Sequence, residues 1–389
     1  MKRFSGAGRV LLGVALLTQP ILQSVGEVAA SPQSEPAVIP NMAGKVLTVN
    51  GPIDPDDLGA TMMHEHILAR FDNLSSDPPS AATKLDFYNR PLTMDMLGSV
   101  LMGYRNKDNL ILGDEQMAIE ELRDYKMHGG NGVVDVTSIG LARDPLGLRR
   151  VANATQIHII MGSSWYTKNY HPKDMDERSV ESLTQEVVRD VTVGVGDTWI
   201  RSGIIGEVGI VGNPLTPNEI KVIRASGRAS RLTGAAVSLH TAAGITEQHQ
   251  ILDLLEAEGT DLGRVIVGHS DSLVKELPFL KRLLERGVYI EFDLLGELSR
   301  LRKETSGHVD VSRAIVELIQ MGYLDRILLS QNVNRKVYLK AYGGLGYSFV
   351  HELLIPLLRR LGVPDEQIEM ILVTNPKRVL TFAAPRPAQ

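Results

Sequence analysis

Two histidines one residue apart, His64 and His66, are the side chains whose spacing points most directly to chemistry. On a β-strand, alternate residues point to the same face, so these two imidazoles can bind one metal ion. The chain has ten histidines, and a chance pairing on a solvated turn is the alternative interpretation. The pair therefore predicts a metal site only if further ligands lie near it.

Four more candidate ligands follow short apolar runs elsewhere in the chain. They are Glu207, His240, His269 and Asn332, each at the end of a predicted strand. The carboxyl ends of parallel strands meet at one face of a barrel, where barrel enzymes place their catalytic groups. A buried structural role would explain any one of these residues but not all of them together. Imidazole nitrogens with a carboxylate oxygen suit zinc, with manganese or cobalt as substitutes.

Short Val- and Ile-rich runs alternate with longer helical patterns from residue 45 onward, as in repeated βα units around a parallel sheet. Eight such runs favour an α/β fold of the (β/α)8 TIM-barrel type over an open sheet. The predicted barrel strands are 59–64, 132–137, 157–162, 203–207, 236–240, 265–269, 288–293 and 326–330. Helices are predicted at 114–128 and 273–286, each followed by glycine, and an added N-terminal hairpin strand at 45–49.

Composition limits the classes of function. The 389 residues carry 41 Lys and Arg against 46 Asp and Glu, a net charge of −5, so no basic field attracts nucleic acid. Hydrophobic residues make up 43% of the chain, enough for a large buried core. A single barrel domain at 44–382 accounts for this length.

The first thirty residues have the order of a secretory signal peptide. Lys2, Arg3 and Arg9 are basic, an apolar stretch follows, and small residues precede Ser31. An uncleaved membrane anchor is the alternative, but polar residues and a proline interrupt the apolar stretch before the roughly 20 residues that a span needs. We therefore expect a signal peptide at 1–30, a flexible leader at 31–43 and an exported protein, periplasmic or secreted, without a stable membrane anchor. The absence of cysteine fits export and excludes thiolate ligands.

Five separated motifs carry a resemblance to a known family. They are GATMMHEHI at 59–67, GEVG at 206–209, His240-Thr241, GHSD at 268–271, and Asp293. In their order and spacing, from about residue 45 to residue 380, the chain resembles the phosphotriesterase-like family of the amidohydrolase superfamily.

The resemblance implies two divalent metal ions, usually zinc, at the carboxyl end of the barrel. A hydroxide between them would attack a lactone, a carboxylic ester or a phosphotriester. His64 and His66 would bind the more buried metal, and His240 and His269 the more exposed one. Glu207 takes the place of the bridging ligand, which is a carbamylated lysine in many members and a glutamate in some. Members are often dimers, so a homodimer is a candidate assembly.

Two positions depart from the family pattern. Asn332 stands where the family has an aspartate that binds the buried metal and accepts a proton from the hydroxide. An amide oxygen coordinates weakly and cannot accept that proton near neutral pH, so we expect lower metal affinity and altered catalysis. Met62 replaces the usual leucine, a change of similar volume that we expect to be silent.

Two further side chains are candidate catalytic groups. Tyr166 lies where lactonase-like relatives carry a tyrosine near the bridging water, although an aromatic residue after a strand is more often a packing residue. Asp293 shares one face of the seventh predicted strand with Glu291. It is a candidate substitute base or a hydrogen-bond partner of a ligand histidine.

The sequence thus predicts an exported, metal-dependent hydrolase of a small-molecule ester or lactone, with Asn332, Asp293 and Tyr166 near the reacting atoms. The alternative is a relative weakened by Asn332 that binds a small ligand in the barrel mouth. A nuclease fits poorly with the negative charge.

Overall fold

Strands and helices alternate along the chain, as the sequence pattern predicts. The computed structural model describes residues 40–72, 78–241, 245–297 and 307–386. The predicted signal peptide, 1–30, and the predicted leader up to residue 39 lie outside the described residues.

Two short antiparallel strand pairs accompany the barrel strands in the described part of the chain. The strands are β1 (Val46–Thr48), β2 (Gly51–Ile53), β3 (Thr61–Glu65), β4 (Ala69–Arg70), β5 (Ile111–Leu112), β6 (Gly132–Asp135), β7 (His158–Ser163), β8 (Ile204–Ile210), β9 (Val237–Thr241), β10 (Val265–Val267), β11 (Tyr289–Phe292) and β12 (Ile327–Leu329). The helices are α1 (Ala82–Asn89), α2 (Leu97–Leu101), α3 (Glu115–Met127), α4 (Pro145–Thr155), α5 (Val180–Thr192), α6 (Pro217–Thr233), α7 (Ile245–Ala257), α8 (Leu277–Leu284), α9 (His308–Gln320), α10 (Ile355–Arg360), α11 (Asp365–Glu369) and α12 (Asn375–Leu380).

Eight strands form one parallel sheet that is nearly closed into a barrel. Their spatial order is β3, β6, β7, β8, β9, β10, β11 and β12, so neighbours in the sheet follow one another along the chain. Helices occupy the connections, which is the arrangement of a (β/α)8 barrel. The predicted fold class is confirmed, and the strand ends differ from the predicted ones by no more than three residues. The added N-terminal hairpin is also present, because β1 pairs antiparallel with β2.

The inside of the barrel is an apolar layer formed by one side chain from each of seven barrel strands and by Ala236, directly before β9. These residues are Met63, Val134, Ile160, Ile204, Ala236, Ile266, Tyr289 and Leu328, all almost completely buried in one cluster. Val46 and Leu58 pack into the same cluster. The barrel is therefore a packed core with no open channel, and its polar residues lie beyond this layer, at the carboxyl ends of the strands.

Side chains join the two end strands, β3 and β12. The backbone N–H of His64 donates to Ser330 Oγ at 2.9 Å, and that hydroxyl lies 2.7 Å from Glu65 Oε1. The buried Glu65 carboxylate also accepts hydrogen bonds from the backbone N–H groups of Gln331 and Val333, each at 2.7 Å. The segment after β12 is thereby fixed against the strand that carries the histidine pair.

One helix is shorter than the sequence pattern predicts. The pattern favours a helix at 273–286, but Ser270–Leu273 forms a 3-10 turn and α8 begins only at Leu277. Pro278 lies in the first turn of α8, where no helical hydrogen bond needs its missing N–H. In a helix that began at residue 273, Pro278 could not donate to the carbonyl of residue 274, so α8 begins next to the proline. By contrast, α3 matches its prediction, with Asp114 capping its first turn through the N–H of Met117.

None of the helices in the described part of the chain is long and apolar enough to cross a membrane.

A half-buried histidine whose ring nitrogens are shielded from water makes stability depend on pH. His351 packs its ring against Tyr125 at 5.4 Å between centroids, and neither of its ring nitrogens has a hydrogen-bond partner among the described residues. Burial, with His128 nearby, lowers its pKa from 6.5 to about 4. Between these values the unfolded chain takes up a proton that the folded chain does not. The free energy of unfolding that depends on His351 is therefore fully present above pH 6.5 and is lost as the pH falls toward 4.

We expect His351→Phe to reduce this acid sensitivity. The loss in the native protein amounts to about 3 kcal/mol once the pH is below both pKa values. Urea unfolding of the two proteins at several pH values between 7.5 and 4 measures the difference between them, which cancels the contribution of the other histidines. Parallel stability curves would show that His351 is not responsible.

Candidate metal centre

Four strands bring the predicted ligands to the carboxyl end of the barrel. His64 belongs to β3 and His66 follows it directly, Glu207 lies within β8, His240 within β9, and His269 two residues beyond β10. A register irregularity in the pairing of β3 with β6 lies between Met62 and Glu65, where the first histidine is found. Such bulges commonly re-aim side chains beside active sites.

The carboxylate of Glu207 lies at the centre of the group, near three of the four histidines. Its Oε2 lies 3.3 Å from His64 Nε2 and 2.7 Å from His240 Nδ1, and its Oε1 lies 3.3 Å from His66 Nε2. His269 Nε2 lies 2.7 Å from His240 Nδ1. Two triads of potential metal ligands therefore share one carboxylate: His64, His66 and Glu207, and Glu207, His240 and His269.

The state of His64 fits a metal ligand. Its side chain is fully buried, yet neither ring nitrogen makes a hydrogen bond within the described part of the chain. Buried polar groups are nearly always paired, because leaving one unpaired costs free energy. A cation bound between His64, His66 and Glu207 would supply the missing partner, so the residues present suit the metal centre that the resemblance implies.

The pKa values of the buried carboxylates and imidazoles also bear on metal binding. Burial raises the pKa of the Glu207 carboxyl, but the charges of His240 and His64 outweigh it and hold the pKa well below its usual range. Burial lowers the pKa of His64 and of His269, but the negative charge of Asp293, with that of Glu207, outweighs burial and raises both values. Glu207 is therefore ionised, the form in which a carboxylate binds metal, and the buried carboxylates favour positive charge at this place.

Asp293 supports two of the histidines from behind. Its Oδ1 lies 2.8 Å from His269 Nδ1, and its Oδ2 accepts the backbone N–H of His269 at 2.9 Å and lies 3.3 Å from His64 Nδ1. Gly268 makes this approach possible, since a Cβ there would lie 3.1 Å from Asp293 Oδ2. Asp293 thus lies where a hydrogen-bond partner of a candidate ligand histidine would lie, and this role, one of its two predicted roles, stays a prediction.

A second buried carboxylate, Glu291, faces the same histidine. Its Oε2 lies 3.5 Å from His64 Nδ1, and neither oxygen forms a hydrogen bond with the described residues. Burial, reinforced by the negative charge of Asp293, raises the pKa of Glu291 to about 7. His64 therefore has carboxylates at both ring nitrogens, with Glu207 on the other side.

We expect Asp293→Asn to weaken metal binding about 10–100-fold, the usual cost of altering the partner of a ligand histidine. The amide cannot accept the imidazole proton as strongly, so His269 becomes a poorer ligand. Competition with a chromogenic chelator measures the dissociation constant for zinc. Asp190→Asn is the control, because Asp190 is also buried but pairs with Arg143 at 2.8 Å. An unchanged constant in the Asp293 variant would contradict this role.

Asn332 lies beside the centre on an unusual backbone. Its φ of 50° is in the left-handed region, as is that of His269 at 57°. Its backbone N–H donates to the carbonyl of His64 at 3.1 Å, and its side-chain oxygen accepts a hydrogen bond from Asn334 at 3.1 Å. Non-glycine residues in this region cluster at functional sites. The assignment of Asn332 as a metal ligand and as a catalytic residue stays a prediction.

Tyr166 lies over His240. The two rings are 4.9 Å apart in an edge-to-face arrangement, and Tyr166 also contacts Tyr170 and Phe71. A Cβ at Gly209 would lie 2.3 Å from the backbone of Tyr166, so the glycine in β8 allows this loop to lie close to the centre. The structure thus brings Tyr166 to the metal centre, and its catalytic role stays a prediction.

Sequence reasoning missed the residues that hold the histidine pair. Glu65, between the two histidines, fixes the segment after β12. Thr137 Oγ1 lies 3.0 Å from His66 Nδ1, and Asp135 accepts the backbone N–H groups of Ile67 and Thr137 at 2.8 and 3.0 Å. The available signal was the position of Asp135 and Thr137 at the end of the second predicted barrel strand.

A further group of potential ligands, Asp124, His128 and Glu352, lies elsewhere. Lys340 forms hydrogen bonds with both of its carboxylates. Both carboxylates are thus already paired with a cation, so this group is best described as an ion-pair network.

Together, the barrel and this group of histidines and carboxylates define a class: hydrolases on a (β/α)8 barrel that depend on bound metal. Comparison with known proteins makes the assignment specific. The sequence profile of the Phosphotriesterase family matches residues 44–380, and the chain belongs to that family.

Relatives and solved structures agree with this assignment. The chain is 34% identical to an N-acetyltaurine hydrolase from Dictyostelium discoideum, over 87% of this chain and 98% of the relative. It is 33% identical to the human N-acetyltaurine hydrolase, over 88% of this chain and 99% of the relative. A resiniferatoxin-binding protein from Rhodobacter sphaeroides superposes with a TM-score of 0.82 at 34% identity, covering 87% of this chain and 96% of that one. The phosphotriesterase homology protein from Escherichia coli, solved with phosphate in its active site, superposes with a TM-score of 0.70. It is 27% identical, and the match covers 84% of this chain and 99% of that one.

Proposed function

We propose that this protein hydrolyses a small carboxylic-acid derivative, an N-acyl amide in the first place, at a centre of two divalent metal ions. One observation carries the proposal: two triads of potential ligands share Glu207 at the carboxyl end of the barrel. A carboxylate shared by two groups of imidazoles could serve two adjacent cations, since it has two oxygens that accept.

The donor set favours zinc. His64 and His66 would hold one ion, His240 and His269 the other, and Glu207 both, with manganese or cobalt as substitutes. When bound, the two ions lower the pKa of water to about 7 and polarise the oxygen of the bond to be broken. Asn332 is our candidate for a further, weak oxygen ligand.

The chain's own residues orient and isolate the reaction. Asp293 holds the His269 ring, and Thr137 holds that of His66. The ring of Tyr166 covers His240, next to the place where a substrate carbonyl would lie. Hydrolysis forms a bond from the water oxygen to the carbonyl carbon, breaks the bond from that carbon to nitrogen or oxygen, and moves one proton to the leaving group. Asp293 was the other candidate to accept the proton from water, but both of its oxygens are engaged by His269 and His64, so it fits the supporting role better.

The substrate class follows from relatives and from chemistry. Relatives that match nearly their whole length to this chain are named N-acetyltaurine hydrolases, which supports an amide carbonyl as the group attacked. Carboxylic esters and lactones present the same carbonyl with a better leaving group, so we expect them to be turned over as well. A phosphotriester presents a different, tetrahedral centre, and we expect it to be the poorest substrate.

A substrate panel with controlled metal content tests the proposal. The protein is stripped with chelator, reconstituted with zinc or manganese, and assayed with N-acetyl amides, aryl esters, lactones and a phosphotriester. The proposal expects carbonyl substrates to be hydrolysed only after reconstitution. A phosphotriester preferred by more than about tenfold in kcat/KM, a difference of 1.4 kcal/mol, would contradict the substrate class.

A second candidate function is ligand binding without turnover. Two observations favour it: the amide of Asn332 cannot accept a proton from water, and one relative of similar fold is named as a resiniferatoxin-binding protein. If this second function is right, the reconstituted protein binds small molecules in the barrel mouth and hydrolyses none of the substrates in the panel.

We also propose that the protein is exported after cleavage near Ser31. The basic start, the apolar stretch and the small residues before Ser31 support this. Intact-mass analysis of protein from the native host tests it, and a mass that includes residues 1–30 would contradict it.

A further inference from the structure

A buried tyrosine from a distant part of the chain contacts the backbone of the histidine pair. Tyr347 is 1% exposed, and its hydroxyl donates a hydrogen bond to the carbonyl of His66 at 2.7 Å. The two residues are 281 positions apart in the sequence. The ring of His66 has a separate partner, because Thr137 Oγ1 lies 3.0 Å from its Nδ1. The backbone and the ring of this candidate ligand are therefore held independently.

Tyr347 and His66 belong to a closed ring of hydrogen bonds with the segment after β12. The backbone carbonyl of Tyr347 accepts a hydrogen bond from the side-chain amide of Gln331. The backbone N–H of Gln331 donates to Glu65 at 2.7 Å, and Glu65 directly precedes His66. All four residues are buried. Because a buried polar group that loses its partner costs free energy, each bond in this ring opposes displacement of the others.

The ion-pair network on α3 holds both ends of the segment 340–348, which carries Tyr347. At the first residue, Lys340 Nζ lies 2.6 Å from Asp124 Oδ2 and also pairs with Glu352. At the last residue, Ser348 Oγ lies 2.7 Å from Asp124 Oδ2 and 2.5 Å from Glu352 Oε1. The same two carboxylates therefore join the start of the segment to its end, directly beside Tyr347.

Close packing fixes the turn between these ends. The backbone N–H of Ala341 donates to Glu121 at 2.8 Å, and that of Gly346 donates to the carbonyl of Tyr338 at 2.8 Å. Gly346 has a φ of 60°, and a Cβ there would lie 2.8 Å from Glu121 Oε2. Only glycine fits this turn without strain. The place of the Tyr347 hydroxyl thus follows from contacts on the outside of the barrel.

We propose that Tyr347 is a positioning residue of the metal centre, fixed in its place by the ion-pair network on α3. This inference rests on the proposed metal centre. The hydroxyl holds the backbone of His66, so that the ring nitrogen Nε2 lies 3.3 Å from Glu207 Oε1. A metal site needs its ligands within about 0.5 Å of their working positions. Tyr347 acts through His66 and contacts no reacting atom.

Tyr347→Phe removes one hydroxyl and keeps the packed ring. Without this donor the buried carbonyl of His66 loses its partner, so the strand end can shift. We expect the zinc dissociation constant, measured by competition with a chromogenic chelator, to rise about tenfold, the lower end of the effect of altering the support of a ligand. We also expect the visible absorption bands of the cobalt-substituted protein to shift, because they report the coordination geometry.

Tyr125→Phe is the matched control. Its hydroxyl also donates to backbone carbonyls, those of Gly132 at 3.0 Å and Ala60 at 3.2 Å, and its side chain is equally buried. Gly132 begins β6, so this tyrosine lies at the amino end of the strand, away from the ligands. A purely structural role would lower the stability of both variants and leave both cobalt spectra as in the native protein.

Ser348→Ala tests the connection to the ion-pair network. It removes the hydroxyl that joins the residue after Tyr347 to Asp124 and Glu352. We expect zinc affinity to fall in the same direction as in Tyr347→Phe, but by less, because the hydroxyl of Tyr347 itself remains. Ser312→Ala is its control, since it removes a buried hydroxyl that donates to the carbonyl of His308 in α9.

The outcomes separate this inference from the proposed function, and no substrate is needed. Native zinc affinity and a native cobalt spectrum in Tyr347→Phe would overturn the inference and leave the metal centre intact. No zinc binding by the native protein would overturn the metal centre itself. In that case the imidazole resonances of His66 in metal-free protein, measured by NMR, decide the positioning role. A shift in Tyr347→Phe but not in Tyr125→Phe supports it, and unchanged resonances overturn it.

Discussion

Replacing Glu207 by alanine is expected to remove metal and activity together. Glu207 is the only residue common to both ligand triads, and its oxygens lie 2.7–3.3 Å from three of the four histidines. Without it, each triad keeps two imidazoles and no negative charge. The loss of affinity should exceed the about 10–100-fold that follows from changing only a ligand's hydrogen-bond partner. Elemental analysis after gel filtration, with activity on the best carbonyl substrate, measures both.

Two variants make this result specific. Glu207→Gln keeps one oxygen ligand without the charge and should retain part of the metal. Glu219→Gln changes another buried carboxylate, one that caps α6 through Thr216, and should leave metal content unchanged. Full metal content in Glu207→Ala would show that Glu207 is not a bridging ligand.

Restoring a carboxylate with Asn332→Asp is expected to raise hydrolytic activity. Asn332 lies next to His64 through its backbone, and aspartate there would add an anionic ligand and a proton acceptor near the attacking water. A positioned general base contributes about 10²–10⁴ in rate, so the gain in kcat should be large even if the geometry is imperfect.

Metal binding must be separated from catalysis in this experiment. Rates are compared at equal metal occupancy, because tighter binding alone would imitate a catalytic gain. Asn153→Asp is the control, since it adds the same charge at an exposed position of α4. Equal kcat for the native and Asn332→Asp proteins at equal occupancy would show that Asn332 is an adapted residue and that another group accepts the proton.

The position of the ligands on the fold could be predicted because it follows from local patterns. Each barrel strand is a short apolar run, and parallel strands end at one face, so a polar residue at the end of such a run must lie at the mouth. This rule places Glu207, His240 and His269. Their mutual distances could not be predicted, because these depend on how strands of different lengths pair around the barrel.

The supporting contacts were not predictable, because they join residues far apart in sequence. Glu65 meets Gln331 and Val333 only when the barrel closes. The sequence position of Asp271 suggests that it orients the loop after His269, but its carboxylate accepts the N–H groups of Asp293 and Leu294, so it holds the loop after β11. Such hydrogen bonds depend on the tertiary structure, which the hydrophobic periodicity of the sequence does not specify.

The packing of the glycine-rich run at 342–347 also could not be predicted from composition. Its composition predicts a mobile loop, but Tyr347 at its end is buried and donates its hydroxyl to the carbonyl of His66 at 2.7 Å. Gly344 packs so closely that a Cβ would lie 2.3 Å from the backbone of Tyr338. The glycines therefore permit close packing behind the histidine pair, a purpose that composition alone does not distinguish from flexibility.

The most direct test of the metal-dependent account is a titration of metal-free protein with zinc, with activity and bound metal followed together. The account predicts that activity is absent in the metal-free protein and reaches its maximum as the bound zinc approaches about two ions per chain, the number that two triads sharing one carboxylate can hold. Full activity in protein shown by elemental analysis to contain no metal would contradict it.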